Sequence, residues 1–366
     1  MIDALRSRRF WQDFDWFLLL TALALSSIGL LEIYSSTLNM DSGNFFLRQL
    51  VWISIGVGLL FVVASIDYHV LAEHVIFLYA GTLLLLAYVL VFGRAVSGAR
   101  SWFGVGSFGF QPSEIAKMVV VIALARFLAG QKERYMTFGQ ILAAGAIWAV
   151  PVILVGLQPD LGTALTFVPV LAIGLFVRGV RPMALVAGGL IVILMMPVTW
   201  FFLKDYQKDR IITFVQPETD PLGSGYQVIQ SKIAIGSGGM WGTGLFQGSQ
   251  NQLGFLPTRH TDFIFSVVAE ELGFAGVCVT LGLLLALLFR SLSLARMPRD
   301  TLGLFIIVGV VGMFAFHILV NVGMVIGFMP ITGIPLPFLS YGGSSVLTAF
   351  IGLGLIISVR RGRLVN

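Results

Sequence analysis

The sequence predicts an all-α polytopic membrane protein with about ten transmembrane helices, both termini cytoplasmic, and one large extracytoplasmic loop between helices seven and eight. Three observations lead there. Of the 366 residues, 57% are apolar and 11% charged, whereas a soluble domain carries roughly 25% charged residues. The apolar residues lie in runs near the length of about 20 that a helix needs to cross the hydrocarbon core. The Lys and Arg residues crowd onto alternate connections between those runs, the pattern that sets orientation in a membrane. A water-soluble multidomain protein is thereby excluded, and a net charge of +5 held in short clusters speaks against nucleic acid as a partner.

The first run, 16–34, follows Arg6, Arg8 and Arg9 and reads as an uncleaved anchor rather than a signal peptide, because it is long and further spans follow. Runs at 47–64, 70–92, 112–128, 141–157, 161–177 and 183–203 supply the next six, and 263–289, 302–329 and 336–359 the last three. No repeat or low-complexity linker divides them, so 1–366 is expected to be one integral domain. The cytoplasmic side is assigned from Arg126, Lys132 and Arg134, from Arg178 and Arg181, from Arg290, Arg296 and Arg299, and from Arg360, Arg361 and Arg363, together with the N-terminal arginines. The connections 35–46, 156–160 and 330–335 hold no basic residue and fall outside. The single Cys278 lies inside an apolar run and is expected to pack between spans.

Two outward segments are longer. Residues 91–111 are rich in Gly and aromatics and are expected to dip into the bilayer edge, where other protein must satisfy the backbone. Residues 204–261 form a connection far beyond the usual length, which marks a functional loop. Within it Tyr226, Ile229 and Ile233 recur at helical spacing, predicting a short helix on the membrane surface. The glycines from Gly236 to Gly248 supply tight turns.

Ionisable residues are costly inside a membrane and are functional candidates by default. Glu114 and Lys117 stand three apart at the start of the fourth span, after Pro112 and a potential cap at Ser113, and so share a helix face and can pair. Asp160 and Asp262 open the sixth and eighth spans, where each either caps its helix or faces a site. Glu270 and Glu271 lie deeper on the eighth span, where one is expected to pair with a cation or hold the bundle together and a direct chemical role is the lesser alternative; His317 and Asn321 suit interhelical hydrogen bonding. Arg48, Arg94, Arg100, Lys117, Lys204, Lys208, Arg210, Lys232 and Arg259 all map outside, where topology does not require them. Such a cluster suits an anionic group, phosphate above all, with lipid headgroups as the plainer occupant. Most of these polar residues fall in the outer half of the bilayer, which favours a site open to the outside over a path through it. The Pro- and Gly-rich stretch 321–345 breaks helix and must be packed against other protein.

Six short motifs occur in order: Arg100-Ser101-Trp102-Phe103, the run from Gln111 to Lys117, the run from Gln158 to Thr163, the glycines from Gly236 to Gly244, His260-Thr261-Asp262-Phe263 with Glu270-Glu271-Leu272-Gly273, and the run from Pro337 to Gly343. With them the chain resembles, over nearly its whole length, the SEDS family (shape, elongation, division and sporulation). The resemblance implies a peptidoglycan glycosyltransferase of the bacterial inner membrane, working on lipid II at its outer face. The family joins the anomeric carbon of the growing strand's lipid-linked MurNAc to the 4-hydroxyl of an incoming GlcNAc and releases the lipid pyrophosphate. Asp262 matches the family's essential aspartate and is expected to be the general base. Glu114 and Lys117 match positions at the substrate cavity, near the pyrophosphate or a divalent cation. Arg48, Arg100 and Arg210 are expected at the pyrophosphate, Trp102 at the sugar or a partner-facing edge, and Asp160, Lys232 and His260 among the remaining substrate contacts. The resemblance also implies a divalent cation, Mg²⁺ or Mn²⁺, with no ligand set assigned, and a class B penicillin-binding protein as partner beside the lipid-linked nascent glycan and the membrane lipids. The short N-terminal tail favours the elongation branch. A lipid II flippase and a noncatalytic scaffold for the penicillin-binding protein are the alternatives.

Overall fold

The computed structural model describes residues 11–362 except 12, 39, 41–43, 97–98, 106–107, 134, 181–182, 185, 187, 191–193, 195–196, 198–199, 202–204, 217–219, 221–222 and 297–299, with side chains throughout except at 95–96, 99, 105, 108, 205–207 and 224. Its helices are α1 (Trp16–Thr37), α2 (Phe45–Ser65), α3 (Tyr68–Glu73), α4 (Val75–Phe92), α5 (Pro112–Ala129), α6 (Phe138–Leu157), α7 (Leu161–Leu165), α8 (Val168–Arg178), α9 (Asp205–Val215), α10 (Ser224–Gly238), α11 (Ser249–Gln252), α12 (Ile264–Ala295), α13 (Thr301–Val325) and α14 (Gly343–Gly362). Among the described residues eight helices are long and apolar enough to cross a membrane, with Leu161–Arg178 counted as one. Helix α5 carries Glu114, Lys117 and Arg126 and is therefore less apolar, but it packs in the middle of the bundle against α4, α6, α13 and α14. Nine of the ten expected spans thus coincide with described helices, and about half of the seventh, 183–203, lies outside the described residues.

Three expectations are corrected. The sixth span is broken at Thr166 and Phe167, because Pro169 in the first turn of α8 has no N–H to give and its ring collides with the carbonyl four residues back. Residues 94–110 do not rely on other protein alone for their backbone partners. They form an antiparallel sheet of β1 (Arg94–Val96), β2 (Ala99–Val105) and β3 (Phe108–Phe110) in the order β1-β2-β3, which satisfies the backbone within the segment itself. Pairing Gly109 beside Trp102 makes room for the indole, since a Cβ there would lie 2.9 Å from the ring. Cys278 does not pack between spans; it is exposed on the outer face of α12.

Polar contacts at one end of the bundle tie the connections that the basic residues assign to the cytoplasm. Asp15 caps α1, accepting from the Leu18 amide, and its buried carboxylate takes Arg290 at 2.9 Å as well as Arg360. The start of α1 and the ends of α12 and α14 therefore share a face. Arg126 donates to the carbonyls of Ala72 and Glu73, and Arg178 to those of Leu128, Gln131 and Glu133. His69 bridges Asp67 at 2.8 Å and Asp300 at 2.5 Å. Burial alone would lower the His69 pKa, but the two aspartates outweigh it and raise it.

At the opposite end the long loop folds onto the bundle. Helix α10 forms where the apolar spacing predicts it, yet Ile229 and Ile233 of that stripe remain exposed. Its buried side is Val228, Ser231 and Ala234, small enough for close approach to α12, and the Ser231 hydroxyl donates to the Val325 carbonyl at 2.7 Å and lies 2.8 Å from the Ser266 hydroxyl.

Candidate active site

Helix α12 is two helices joined at Gly273, where φ is 65° and ψ −165°. The loop after α10 fills the break. The amides of Phe274 and Ala275 donate to the carbonyls of Gly239 and Met240 at 2.9 and 3.1 Å, and those of Thr243 and Gly244 donate to Glu270 and Glu271 at 2.9 and 3.1 Å. A Cβ on Gly273 would lie 2.2 Å from the Gly242 nitrogen, so this approach requires glycine for space as well as for conformation.

Two buried carboxylates lock the half-helix before the break. Glu271 accepts from the Ser35 hydroxyl at 2.5 Å, the Asn251 side-chain amide at 2.7 Å and the Phe246 backbone amide at 2.9 Å. Glu270 accepts from the backbone amides of Gln250 and Asn251 at 2.7 and 3.0 Å. Arg259 donates to the Ser36 carbonyl at 2.7 Å and completes the attachment to α1. The segment carrying Asp262 is thereby held at both ends.

Asp262 does not cap α12. Phe263 occupies the cap position and no side chain bonds the first turn. The Asp262 carbonyl accepts from the Asn321 amide at 2.9 Å, and its half-buried carboxylate lies against Gly333, where a Cβ would sit 3.7 Å from Oδ2. Loss of water around the carboxyl pushes its pKa up to about 6, only partly offset by the charge of Arg210 and a hydrogen bond from the Thr261 side chain. Beside it His260 packs tilted against Phe45 and edge-on against Tyr341, with ring centroids 5.0 and 5.6 Å away. Burial first, and then the charge of Arg259, lower the His260 pKa, so the imidazole is neutral.

A cavity of about 240 Å³ lies between α9, α10 and 327–331, lined by Arg210, Thr213, Phe214, Lys232, Met329 and Ile331 among others. Its backbone wall runs on to Gly333 at Asp262. Arg210 and Lys232 line a space that fits an anionic group, and the charge of Arg210 reaches the Asp262 carboxyl.

Glu114 and Lys117 form a second centre. Both are buried and paired at 2.8 Å. The Lys117 ammonium also lies 3.3 Å from His317 Nε2, and His317 Nδ1 lies 3.1 Å from the Pro335 carbonyl. The adjoining cavity is about 10 Å³, room for about one water and too small for a phosphate. Ser113 does not cap α5; its hydroxyl has no hydrogen-bond partner among the described residues.

The remaining expected residues are spread wider. Asp160 caps α7 by accepting from the Thr163 amide at 3.1 Å, and its other oxygen accepts from the Gln111 side chain at 2.7 Å. Arg48 is half-buried in the first turn of α2, Arg100 is exposed on β2, and Trp102 covers Gly109. The described contacts bring none of these four to Asp262. One residue escapes the sequence reading: Glu32 in α1 is fully buried, and neither carboxylate oxygen has a partner among the described residues. The signal was present, a lone carboxylate inside an apolar run.

The architecture is that of a polytopic membrane protein with a desolvated carboxylate and a cation-lined hollow at one face of the bilayer. The family model FtsW/RodA/SpoVE, described as cell cycle protein, matches residues 15–364, and the chain belongs to that family. It is 38% identical to the peptidoglycan glycosyltransferase RodA of Treponema pallidum, over 95% of this chain and 97% of that one. It is 39% identical to the peptidoglycan glycosyltransferase MrdB of Escherichia coli, over 99% of this chain and 98% of that one. Among solved structures it is similar, with a TM-score of 0.83 and 38% identity over 96% of this chain and 99% of the other, to one described as "Structural coordination of polymerization and crosslinking by a peptidoglycan synthase complex".

Proposed function

We propose that this chain is a peptidoglycan glycosyltransferase, a multi-pass protein of the bacterial inner membrane that polymerises lipid II into glycan strands at the outer face during cell elongation. Full-length relatives that bear that activity in their names support it. The observation that carries the mechanism is Asp262, a carboxylate with its pKa pushed up to about 6 beside a cation-lined cavity. A base poised near neutrality is suited to take a proton from a sugar hydroxyl at physiological pH. In the proposed step the GlcNAc 4-oxygen bonds to the anomeric carbon of the lipid-linked MurNAc, and the bond from that carbon to the pyrophosphate oxygen breaks. The hydroxyl proton passes to an Asp262 oxygen and the pyrophosphate leaves with the electron pair. Arg210 and Lys232 face the hollow in which that negative charge would gather.

Among the described residues no three His, Cys, Asp or Glu side chains converge as metal ligands, so the donor set does not fit an ion held by protein alone. No step is routed through one. The proposal keeps Mg²⁺ or Mn²⁺ as a companion of the pyrophosphate, since such ions commonly bind through substrate phosphates with few protein ligands. The match to a synthase complex supports a partner that crosslinks the new strands, which we take to be a class B penicillin-binding protein.

Purified protein in liposomes with lipid II and Mg²⁺ is expected to make glycan polymer, and both Asp262→Ala and EDTA are expected to abolish it. Leaflet exchange without polymer would instead identify a flippase. Wall synthesis that persists in cells carrying Asp262→Ala would leave only the scaffold.

A further inference from the structure

His317 and Asn321 stand one turn apart on α13 and hold consecutive carbonyls of the Pro-Gly turn. Asn321 donates to the carbonyl of Ile334 at 2.9 Å and to that of Asp262 at 2.9 Å, while His317 meets the carbonyl of Pro335. The turn that borders the Asp262 carboxylate at Gly333 therefore continues directly to the Glu114–Lys117 pair. The proton positions on the imidazole follow from its partners. A carbonyl only accepts, so Nδ1 carries the hydrogen; an ammonium only donates, so Nε2 offers its lone pair to Lys117. Two of the three ammonium hydrogens are then committed, one to Glu114 and one to His317, and the third is directed by elimination toward the small cavity, whose wall includes Ser345 and the unpartnered, buried hydroxyl of Thr348.

We propose that His317 is a positioning residue of the glycosyl transfer. Held in its Nδ1–H tautomer by Pro335, it fixes the direction of the Lys117 ammonium relative to the turn that flanks Asp262. An apolar side chain of the same volume would pack here but leave the Pro335 carbonyl and one Lys117 N–H without their partner. The imidazole earns its position by bonding two separate partners, one on α5 and one on the turn.

This inference rests on the glycosyltransferase reading, and one set of assays separates the two. Asparagine places its amide where Nδ1 stands, and glutamine reaches the place of Nε2. With lipid II as substrate, His317→Asn, which keeps the Pro335 contact and loses Lys117, is expected to lower kcat about tenfold or more while KM stays within about threefold. His317→Gln, which restores an acceptor for Lys117, is expected to stay within about threefold of the parent in both constants. Melting temperature and monodispersity in detergent are measured for each, and the Asn–Gln comparison stands even where His317→Ala does not fold. An active Asn variant with an inactive Gln variant shows that the ring only anchors the turn and overturns the proposal, as does a flat series in a protein whose polymerisation still depends on Asp262. Absence of polymer from the unsubstituted protein overturns the glycosyltransferase reading, and this inference with it.

Discussion

Asp262 and the pair Glu270–Glu271 lie eight and nine residues apart on one short stretch of chain, and their surroundings are opposite. The two glutamates receive five hydrogen bonds from Ser35, Phe246, Gln250 and Asn251, three of them from backbone amides. Among the described residues Asp262 is helped by Thr261 and the nearby charge of Arg210, and its carboxyl is pushed up to about 6. A carboxylate engaged by several donors is held in one place and serves as a fastener. One that is desolvated and has few donors, as Asp262 is, keeps its affinity for a proton and is open to chemistry.

The largest effect that would break this contrast is on rate. Asp262→Asn is expected to lower polymer formation by about 10² to 10⁴-fold with an unchanged melting temperature. Unfolding of that variant would put Asp262 among the fasteners. Next is Glu114→Ala, which leaves the fully buried Lys117 without its ion pair and should cost about 3–5 kcal/mol of stability. Thermal unfolding in detergent measures it, and the double replacement of Glu114 and Lys117 by Met should recover much of the loss while remaining inactive. Glu271→Ala strands the donors of Ser35, Asn251 and Phe246 and should cost about 1–3 kcal/mol for each one left unpaired. Activity per folded molecule should fall far less than in Asp262→Asn, and a selective loss of kcat would erase the distinction.

Two smaller effects sharpen it. The base acts deprotonated, so the rate should decline as pH drops through about 6. The charge of Arg210 holds the Asp262 pKa down, so Arg210→Gln should move that acid limb to higher pH; a limb that moves lower would show that Arg210 does not act on this carboxyl. Glu32 lacks partners among the described residues, and Glu32→Met should leave the melting temperature unchanged or raised, within about 1 kcal/mol. Marked destabilisation would mean that Glu32 belongs with Glu270 and Glu271 as a fastener.

Much of this was legible in the residues. The apolar runs locate the described spans, and the arginines of the cytoplasmic connections are found bonding the carbonyls and Asp15 at one end of the bundle. The i,i+3 spacing of Glu114 and Lys117 was sufficient for their pairing, because a helix brings such residues together by its own geometry. The sheet at 94–110 was not legible, since its strands are short and its alternation is weak. Nor was the break at Gly273, which exists because a loop from thirty residues upstream presses Gly242 against it.

Composition and the order of apolar and basic residues by themselves determined a membrane bundle and a short roster of costly ionisable groups, because insertion energies depend on each residue and its immediate neighbours. Only the tertiary structure decided what each group does. Ser35 reaches Glu271, Arg210 influences Asp262 and His317 meets Lys117 across long separations in sequence. The proton affinity of a carboxylate is set by how many donors and how much water surround it, and those arrive through folding.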